Sequence, residues 1–176
     1  ISSGVDILFT VGGDGTQRGG NALFEAARKR GHALSVVGIP KTIDNDVRYV
    51  TRTFGYGTAV DEAVRVINSA HTEARSVDNG VAVVTLMGRH AGFIAAAATT
   101  ASQDVNICLI PEARFGLEGE GGLLASLERR LARKNHAVVV VAEGAGQELL
   151  GASGEKDDSG NIKLQDIGLF LKEKLN

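Results

Sequence analysis

The sequence has little of what several classes of protein need. It contains one cysteine, two prolines and no tryptophan. A single cysteine excludes an internal disulfide scaffold, and Cys108 stands in an apolar run where a buried thiol is expected. No apolar run approaches the ~20 residues that span a bilayer. The net charge of −2 and the scattered aromatic residues argue against nucleic acid as a main partner, because binding a polyanion requires a basic face.

What is present indicates a globular core rich in turns. Of the 176 residues, 43% are apolar and 23 are glycine, whereas glycine usually makes up ~7%. The chain starts without an initiator methionine or a signal-peptide pattern and breaks off inside a helical pattern. We therefore expect a piece of a longer protein with both flanks missing. Residues 1–150 are predicted to form a partial catalytic core, and residues 151–176 a polar loop and the start of a further helix.

Apolar runs alternating with helical patterns predict an α/β fold with a mainly parallel sheet and helices on both faces. The predicted strands are residues 6–11, 34–39, 81–86, 105–110 and 137–142. The predicted helices include residues 17–30 and 93–102, and one that begins at a capping box of Thr58 and Asp61. The inner face of the first helix is predicted to consist of Ala22, Leu23, Ala26 and Ala27. Pro40 is expected to end the second strand, since proline fixes its own φ and restricts the residue before it.

The first polar junction is residues 12–16 (Gly-Gly-Asp-Gly-Thr), between a strand and a helix. Backbone N–H groups of such a turn, together with a helix N-terminus, form an anion site, and Asp14 could hold Mg²⁺. The alternative is a tight turn in which Asp14 only caps the helix. The segment is not a Walker A motif, because its Gly-Lys-Ser/Thr ending is absent.

The second junction is residues 38–46, where an apolar strand runs into Lys41, Thr42, Asp44 and Asp46. Residues at i, i+2 and i+4 of an extended backbone point to one side. A carboxylate there could accept the proton of a sugar hydroxyl that attacks a phosphate, and Lys41 could offset charge on the transferred group. The alternative is an Asx-rich turn without chemistry.

Two further strand ends carry candidate residues. Arg89 could bind phosphate, since the guanidinium group matches phosphate geometry, and Glu143 could accept hydrogen bonds from sugar hydroxyls. By residue type alone, Arg89 could equally be a surface arginine and Glu143 a paired structural acid. Met87 by itself indicates packing.

Four junctions together resemble the 6-phosphofructokinase family, and the match covers most of residues 4–148. They are residues 12–16, 40–46 (Pro-Lys-Thr-Ile-Asp-Asn-Asp), 87–92 (Met-Gly-Arg-His-Ala-Gly) and 142–144 (Ala-Glu-Gly). The resemblance implies a Rossmann-type three-layer fold and transfer of the γ-phosphoryl group of ATP to the 1-hydroxyl of fructose 6-phosphate, with Mg²⁺ as cofactor.

The resemblance also implies roles for individual residues. Asp44 would be the catalytic base, supported by Thr42 and Asp46, and Arg89 would stabilise charge during transfer. Asp14 would bind Mg²⁺. The nucleotide would contact Gly13, Asp14, Gly15 and Thr16, and the sugar phosphate would contact Thr42, Ile43, Asp44, Met87, Gly88, Arg89 and Glu143.

Gly15 and Lys41 bear on the phosphoryl donor. In this family a glycine at the place of Gly15 leaves room for the α-phosphate of ATP, whereas pyrophosphate users carry a lysine at the place of Lys41. The combination resembles the plant-type ATP-dependent branch. The alternatives are a pyrophosphate-dependent phosphotransferase, a non-catalytic regulatory paralogue, and an NAD kinase-like enzyme resting on residues 12–16 alone.

Two further expectations come from the family. A homo-oligomer subject to allosteric control is expected, in the cytoplasm or, in a plant-type host, in a plastid. Bacterial members have an arginine seven residues before the methionine, and this chain has Gly80 there, which puts a cross-subunit substrate contact in doubt.

Overall fold

The computed structural model describes residues 4–151, 154–156 and 162–175. The chain divides into two compact units, Ile1–Gly57 and Thr58–Asn176. The predicted polar loop falls partly on residues 152–153 and 157–160, outside the described residues.

The first unit is a small parallel sheet with one helix. Its elements are β1 (Ile7–Gly12), α1 (Asp14–Lys29), β2 (Ser35–Thr42) and β3 (Phe54–Gly55). The strand order is β1-β2-β3, with β1 and β2 in register from Ile7 opposite Ser35 to Gly12 opposite Pro40. Because the strands are parallel, β1 and β2 end side by side, and their polar junctions leave the sheet at the same edge.

Two predicted boundaries in this unit are wrong. β2 runs through Pro40 to Thr42, because Pro40 is the last residue paired with β1 and the next two residues pair with β3 on the other side. A proline without an N–H is tolerated at such a change of partner. Helix α1 begins at Asp14 rather than at Gln17, after an extended Gly13 with no side-chain cap.

The inner face predicted for α1 is also largely wrong. Of its four predicted residues only Ala27 is buried, together with the unpredicted Gly20, and Leu23 remains 53% exposed. Gly20 lies against Thr10 and Val36, so the helix approaches the sheet along its small residues.

The second unit contains a parallel sheet in the order β4-β6-β5. Its elements are α2 (Tyr56–Arg75, whose first two residues belong to the first unit), β4 (Gly80–Leu86), α3 (Phe93–Ser102), β5 (Ile107–Leu109), α4 (Leu123–Lys134), β6 (His136–Ala142), α5 (Gln147–Leu150) and α6 (Ile167–Leu175). Side chains of β6 are fully buried on both of its faces from Ala137 to Ala142. Leu127 of α4 and Leu171 of α6 belong to the apolar cluster around β6.

Most predicted elements of this unit are confirmed. Helix α3 has the predicted bounds, and β5 is shorter than predicted. The capping box is wrong: Thr58 lies inside α2, because the chain enters the helix at Tyr56 directly from β3.

Candidate active site

The β1–α1 junction places the first candidate residues in the opening turn of a 16-residue helix. Gly15 and Thr16 are exposed there, and a Cβ added to Gly15 would meet no atom within 4 Å. The Asp14 carboxylate forms an ion pair with Arg18 at 2.7 Å, and its side chain is 60% exposed. An exposed pair of this kind contributes little free energy, so a ligand can replace Arg18. The turn therefore offers an anion site with one accessible carboxylate beside it.

The end of β2 orients one carboxylate. The Thr42 hydroxyl donates to Oδ2 of Asp44 at 3.1 Å and accepts the backbone N–H of Asp44 at 3.2 Å. Asp44 is half-buried, whereas Asp46 and Lys41 are exposed. The segment is thus a turn stabilised by side chains, as the alternative of an Asx-rich turn predicts. This turn also fixes the position of the Asp44 carboxylate.

Two residues that the sequence analysis missed support this turn. Asn45 has a φ of 57°, in the left-handed region that asparagine tolerates. Its Oδ1 accepts the N–H of Thr53 at 2.9 Å, and the Thr53 hydroxyl donates to the carbonyl of Thr42 at 2.7 Å. Thr53 is only 3% exposed. Asparagine's tolerance of positive φ was the available signal for Asn45, whereas no local pattern pointed to Thr53.

The two junctions of the first unit lie against each other. A Cβ on Gly13 would stand 3.5 Å from the Cβ of Thr42. Nε2 of Gln17 donates to the carbonyl of Gly12 at 2.9 Å and to that of Ile39 at 3.0 Å. The structure therefore brings together residues 13–16 and 42–44, as their positions after neighbouring parallel strands require.

In the second unit, the ends of β4 and β6 bring the other candidate residues together. The N–H of Glu143 donates to the carbonyl of Leu86 at 2.9 Å, and that of Gly144 to the carbonyl of Gly88 at 3.1 Å. Met87 is 59% exposed, which does not fit the packing role that its residue type alone indicates. Residues 87–89 and Glu143 thus form one edge of the second sheet.

Residues later in the chain form hydrogen bonds with Arg89 and with its neighbour Gly92. Nη1 of Arg89 donates to the carbonyl of Ile162 at 2.7 Å. Both carboxylate oxygens of Glu112 accept the N–H of Gly92, at 2.8 and 3.1 Å. Glu112, just after Pro111, is a third supporting residue that no motif indicated. Glu143 lines a cavity of about 310 Å³ with Gln165.

The described part of the chain offers a divalent metal ion no large set of protein ligands. Within the described ranges, no cluster of three or more histidine, cysteine, aspartate or glutamate side chains is arranged to hold a metal ion. The exposed carboxylate of Asp14 fits Mg²⁺, which commonly takes one or two carboxylates and completes its shell with phosphate oxygens and water. None of the helices in the same ranges is long and apolar enough to cross a membrane.

Comparison with known proteins shows the family to which the chain is similar. The family model described as "Phosphofructokinase" matches residues 1–175. ATP-dependent 6-phosphofructokinase 1 of Arabidopsis thaliana is 52% identical over 98% of this chain, and the match covers 37% of that protein. ATP-dependent 6-phosphofructokinase of Trypanosoma cruzi is also 52% identical, over 98% of this chain and 35% of its own length. The chain thus spans little more than a third of these relatives.

Solved structures agree on the fold. Phosphofructokinase from Saccharomyces cerevisiae superposes with a TM-score of 0.69 and 27% identity, over 82% of this chain and 22% of that one. A pyrophosphate-dependent phosphofructokinase from Nitrosospira multiformis gives a TM-score of 0.72 over 99% of this chain and 43% of that one, at 22% identity, and therefore supports the fold alone. The predicted α/β fold is confirmed. The chain belongs to the phosphofructokinase family, as its four polar junctions predicted.

Proposed function

We propose that the protein containing this chain transfers the γ-phosphoryl group of ATP to the 1-hydroxyl of fructose 6-phosphate, giving fructose 1,6-bisphosphate and ADP. The observation that carries the proposal is the Asp44 carboxylate, held by the Thr42 hydroxyl at the strand end beside the glycine-rich turn. In the reaction the 1-hydroxyl oxygen forms a bond to the γ-phosphorus while the bond from that phosphorus to the bridging oxygen of ADP breaks. Asp44 accepts the proton that the hydroxyl loses.

The nucleotide side of the reaction belongs to residues 13–16. Their backbone N–H groups, at the start of α1, bind phosphate oxygens, and Asp14 is the residue that would hold Mg²⁺, in place of its ion pair with Arg18. When bound, Mg²⁺ offsets the negative charge that the phosphates carry and develop. Thr16 contributes a hydroxyl in the same turn, and the space beside Gly15 accommodates the nucleotide.

The sugar phosphate belongs to the remaining residues. On the family resemblance, the residues assigned to the sugar phosphate are Thr42, Ile43, Asp44, Met87, Gly88, Arg89 and Glu143. Arg89 stabilises charge on the transferred group with its guanidinium, which also donates a hydrogen bond to the carbonyl of Ile162. Lys41 adds a second, exposed positive charge, and Asp46 supports the segment that carries the base.

Gly15 favours ATP over pyrophosphate as donor. The position is open, so the larger nucleotide has room there, and the named relatives at about half identity are ATP-dependent enzymes. We expect full-length protein to turn over fructose 6-phosphate with ATP and not with pyrophosphate. Gly15→Asp should lower kcat/KM for ATP by about 10²-fold, since an added carboxylate meets phosphate charge, and should leave the melting temperature unchanged because no atom stands near the site.

The donor assignment has its own control. Gly19→Ala adds a methyl group in the same helix, where it likewise meets no atom within 4 Å. This variant should leave kcat/KM for either donor unchanged. Turnover with pyrophosphate and none with ATP would reverse the assignment. No turnover with either donor would remove the proposed activity itself.

Assembly and location are proposals of the same kind. We infer a homo-oligomer in the cytoplasm on the family resemblance, with a plastid as the alternative because two relatives, each 50% identical, are named chloroplastic. Light scattering of the full-length protein and fractionation of the host cell test the two separately.

A further inference from the structure

Gln17 is a polar residue on the sheet-facing side of α1. It is half-buried, and it lies three residues before the buried Gly20 and ten before the buried Ala27, on the same helical stripe. A glutamine in a stripe of small buried residues has to find hydrogen-bond partners, because an unpaired buried amide is costly. Its partners are two backbone carbonyls.

These carbonyls belong to the ends of two strands. Nε2 of Gln17 donates to the carbonyls of Gly12 and Ile39 at 2.9 and 3.0 Å, which accounts for both N–H bonds of the amide. In the β1–β2 register, Gly12 is opposite Pro40, the last pair of the ladder. The side chain therefore joins β1 and β2 where their backbone pairing ends. We call this pair of hydrogen bonds the amide bridge.

The lack of a side chain at Gly38 leaves room for the amide bridge. A Cβ on Gly38 would overlap Oε1 of Gln17, and the three atoms nearest to that Cβ all belong to Gln17. The backbone at Gly38 is not in the left-handed region, so a side chain there is excluded by the amide and not by strain.

The bridge stands between the two halves of the proposed chemistry. Gly12 precedes the residues that bind the nucleotide, and Ile39 precedes Thr42 and Asp44 by three and five residues. We propose that Gln17 is a positioning residue that sets the separation of the nucleotide turn, residues 13–16, from the base-carrying segment, residues 42–44. The proposal rests on the proposed phosphotransferase function. In-line transfer needs both substrates in near-attack geometry, and a displacement of about 1 Å can cost 10²-fold in rate.

The first test compares two variants of full-length protein. Gln17→Leu keeps the side-chain size without a donor, and Gln17→Glu keeps the shape but turns carboxylate oxygens toward two carbonyls. We expect kcat to fall by about 10- to 100-fold while KM for ATP and for fructose 6-phosphate changes less than about threefold. Asn21→Leu, one turn further along α1 and exposed, is the matched control and should keep its kcat within about twofold. A lower melting temperature with unchanged kcat per folded molecule would show a structural role only and overturn the proposal.

A second test leaves Gln17 in place. Gly38→Ala should push the amide off the carbonyls and lower kcat by about tenfold in the otherwise native protein. In a Gln17→Ala background the same Gly38→Ala change should alter kcat less than about twofold, because the overlapping atoms are gone. Additive effects of the two substitutions would overturn the proposal even if Gln17→Leu proved unstable.

Hydrogen exchange separates failure of this inference from failure of the proposed function. If the native protein shows no turnover with either donor, the proposed activity is wrong. The bridge is then judged by amide exchange in residues 41–46, which Gln17→Leu should accelerate relative to Asn21→Leu. Unchanged exchange there would overturn the inference whether or not the protein is a kinase.

Discussion

A carboxylate acts as a base only if it is held toward its proton donor, and this chain holds its two candidate acids differently. Asp44 is half-buried and hydrogen-bonded to Thr42, while Asp46 is exposed. In the sequence, Thr42, Asp44 and Asp46 follow one another at intervals of two residues, so spacing alone does not distinguish the two carboxylates. The hydroxyl two residues before Asp44 therefore favours it as the base.

Replacing Asp44 by asparagine tests this assignment. Asp44→Asn keeps the size of the side chain and its bond to Thr42 but cannot accept the proton, so kcat should fall by about 10²–10⁴-fold. The melting temperature should move little, because the only side-chain bond of Asp44 in the described structure is kept. Steady-state kinetics with ATP and fructose 6-phosphate measure the effect.

Asp61→Asn, an exposed position of α2, is the charge-matched control and should be silent. Asp46→Asn should cost less than Asp44→Asn. Near-normal turnover of Asp44→Asn would assign the base elsewhere.

At the scale of elements, the sheet of the second unit ends in a backbone contact that leaves no room for a side chain. In the second unit, β4 and β6 end together through the N–H of Gly144 and the carbonyl of Gly88. A Cβ on Gly144 would overlap the carbonyl oxygen of Arg89, which is backbone and cannot swing away. This strand-end geometry places Arg89 beside Glu143.

Gly144→Ala should therefore force the two strand ends apart. Overpacking of this kind typically lowers the free energy of unfolding by about 1–3 kcal/mol. A thermal melt of the variant should show the loss, and kcat should fall as well because Arg89 moves.

The matched comparison is Gly121→Ala in the same unit, where an added Cβ meets no atom within 4 Å. Its stability should change by less than about 0.5 kcal/mol. Equal melting temperatures for the two variants would contradict the close approach at Gly144.

At the scale of the whole molecule, the net charge of −2 is small, so pH acts on stability mainly through groups whose surroundings change on folding. Cys108, on β5 opposite Val140, is such a group. Burial raises the pKa of its thiol above the ordinary value of 9.0. The folded chain keeps the thiol neutral at pH values where the unfolded chain already ionises it.

The sign of the pH effect follows. The contribution of the neutral thiol to the free energy of unfolding is fully present below the pKa of the unfolded chain. It is lost as the pH rises through the pKa of the folded chain. Cys108 is half-buried, less than its apolar run predicted, and Cys108→Ala should still lower the melting temperature at pH 7.5 because it removes packed side-chain volume. The difference in melting temperature between the wild-type protein and Cys108→Ala should shrink at pH 10. Only the wild-type protein has a thiol at this position, so only it loses stability when the thiol ionises. Calorimetry under reducing conditions at both pH values measures it, and a deficit that does not depend on pH would contradict the prediction.

The fold was largely predictable because its parallel strands are apolar runs in the sequence, whether buried on both faces like β6 or partly exposed like β1. The boundaries that failed were those set by partners distant in sequence. The pairing of Lys41 and Thr42 with β3 carried β2 past Pro40. The direct entry from β3 started α2 at Tyr56 and made the apparent capping box irrelevant. The sequence pattern around each boundary does not show the distant or preceding strand that sets it.

By itself, the sequence determined the class of fold, the family, and the candidate residues at each strand end. It could do so because a strand followed by clustered polar groups marks the ligand edge of an α/β sheet, and because four such clusters in order identify the family. Only the tertiary structure decided which carboxylate is held, which backbone groups support the site, and that Gln17 joins the two junctions. Those depend on hydrogen bonds between residues that are far apart in the chain, such as Gln17 with Ile39 and Thr53 with Thr42.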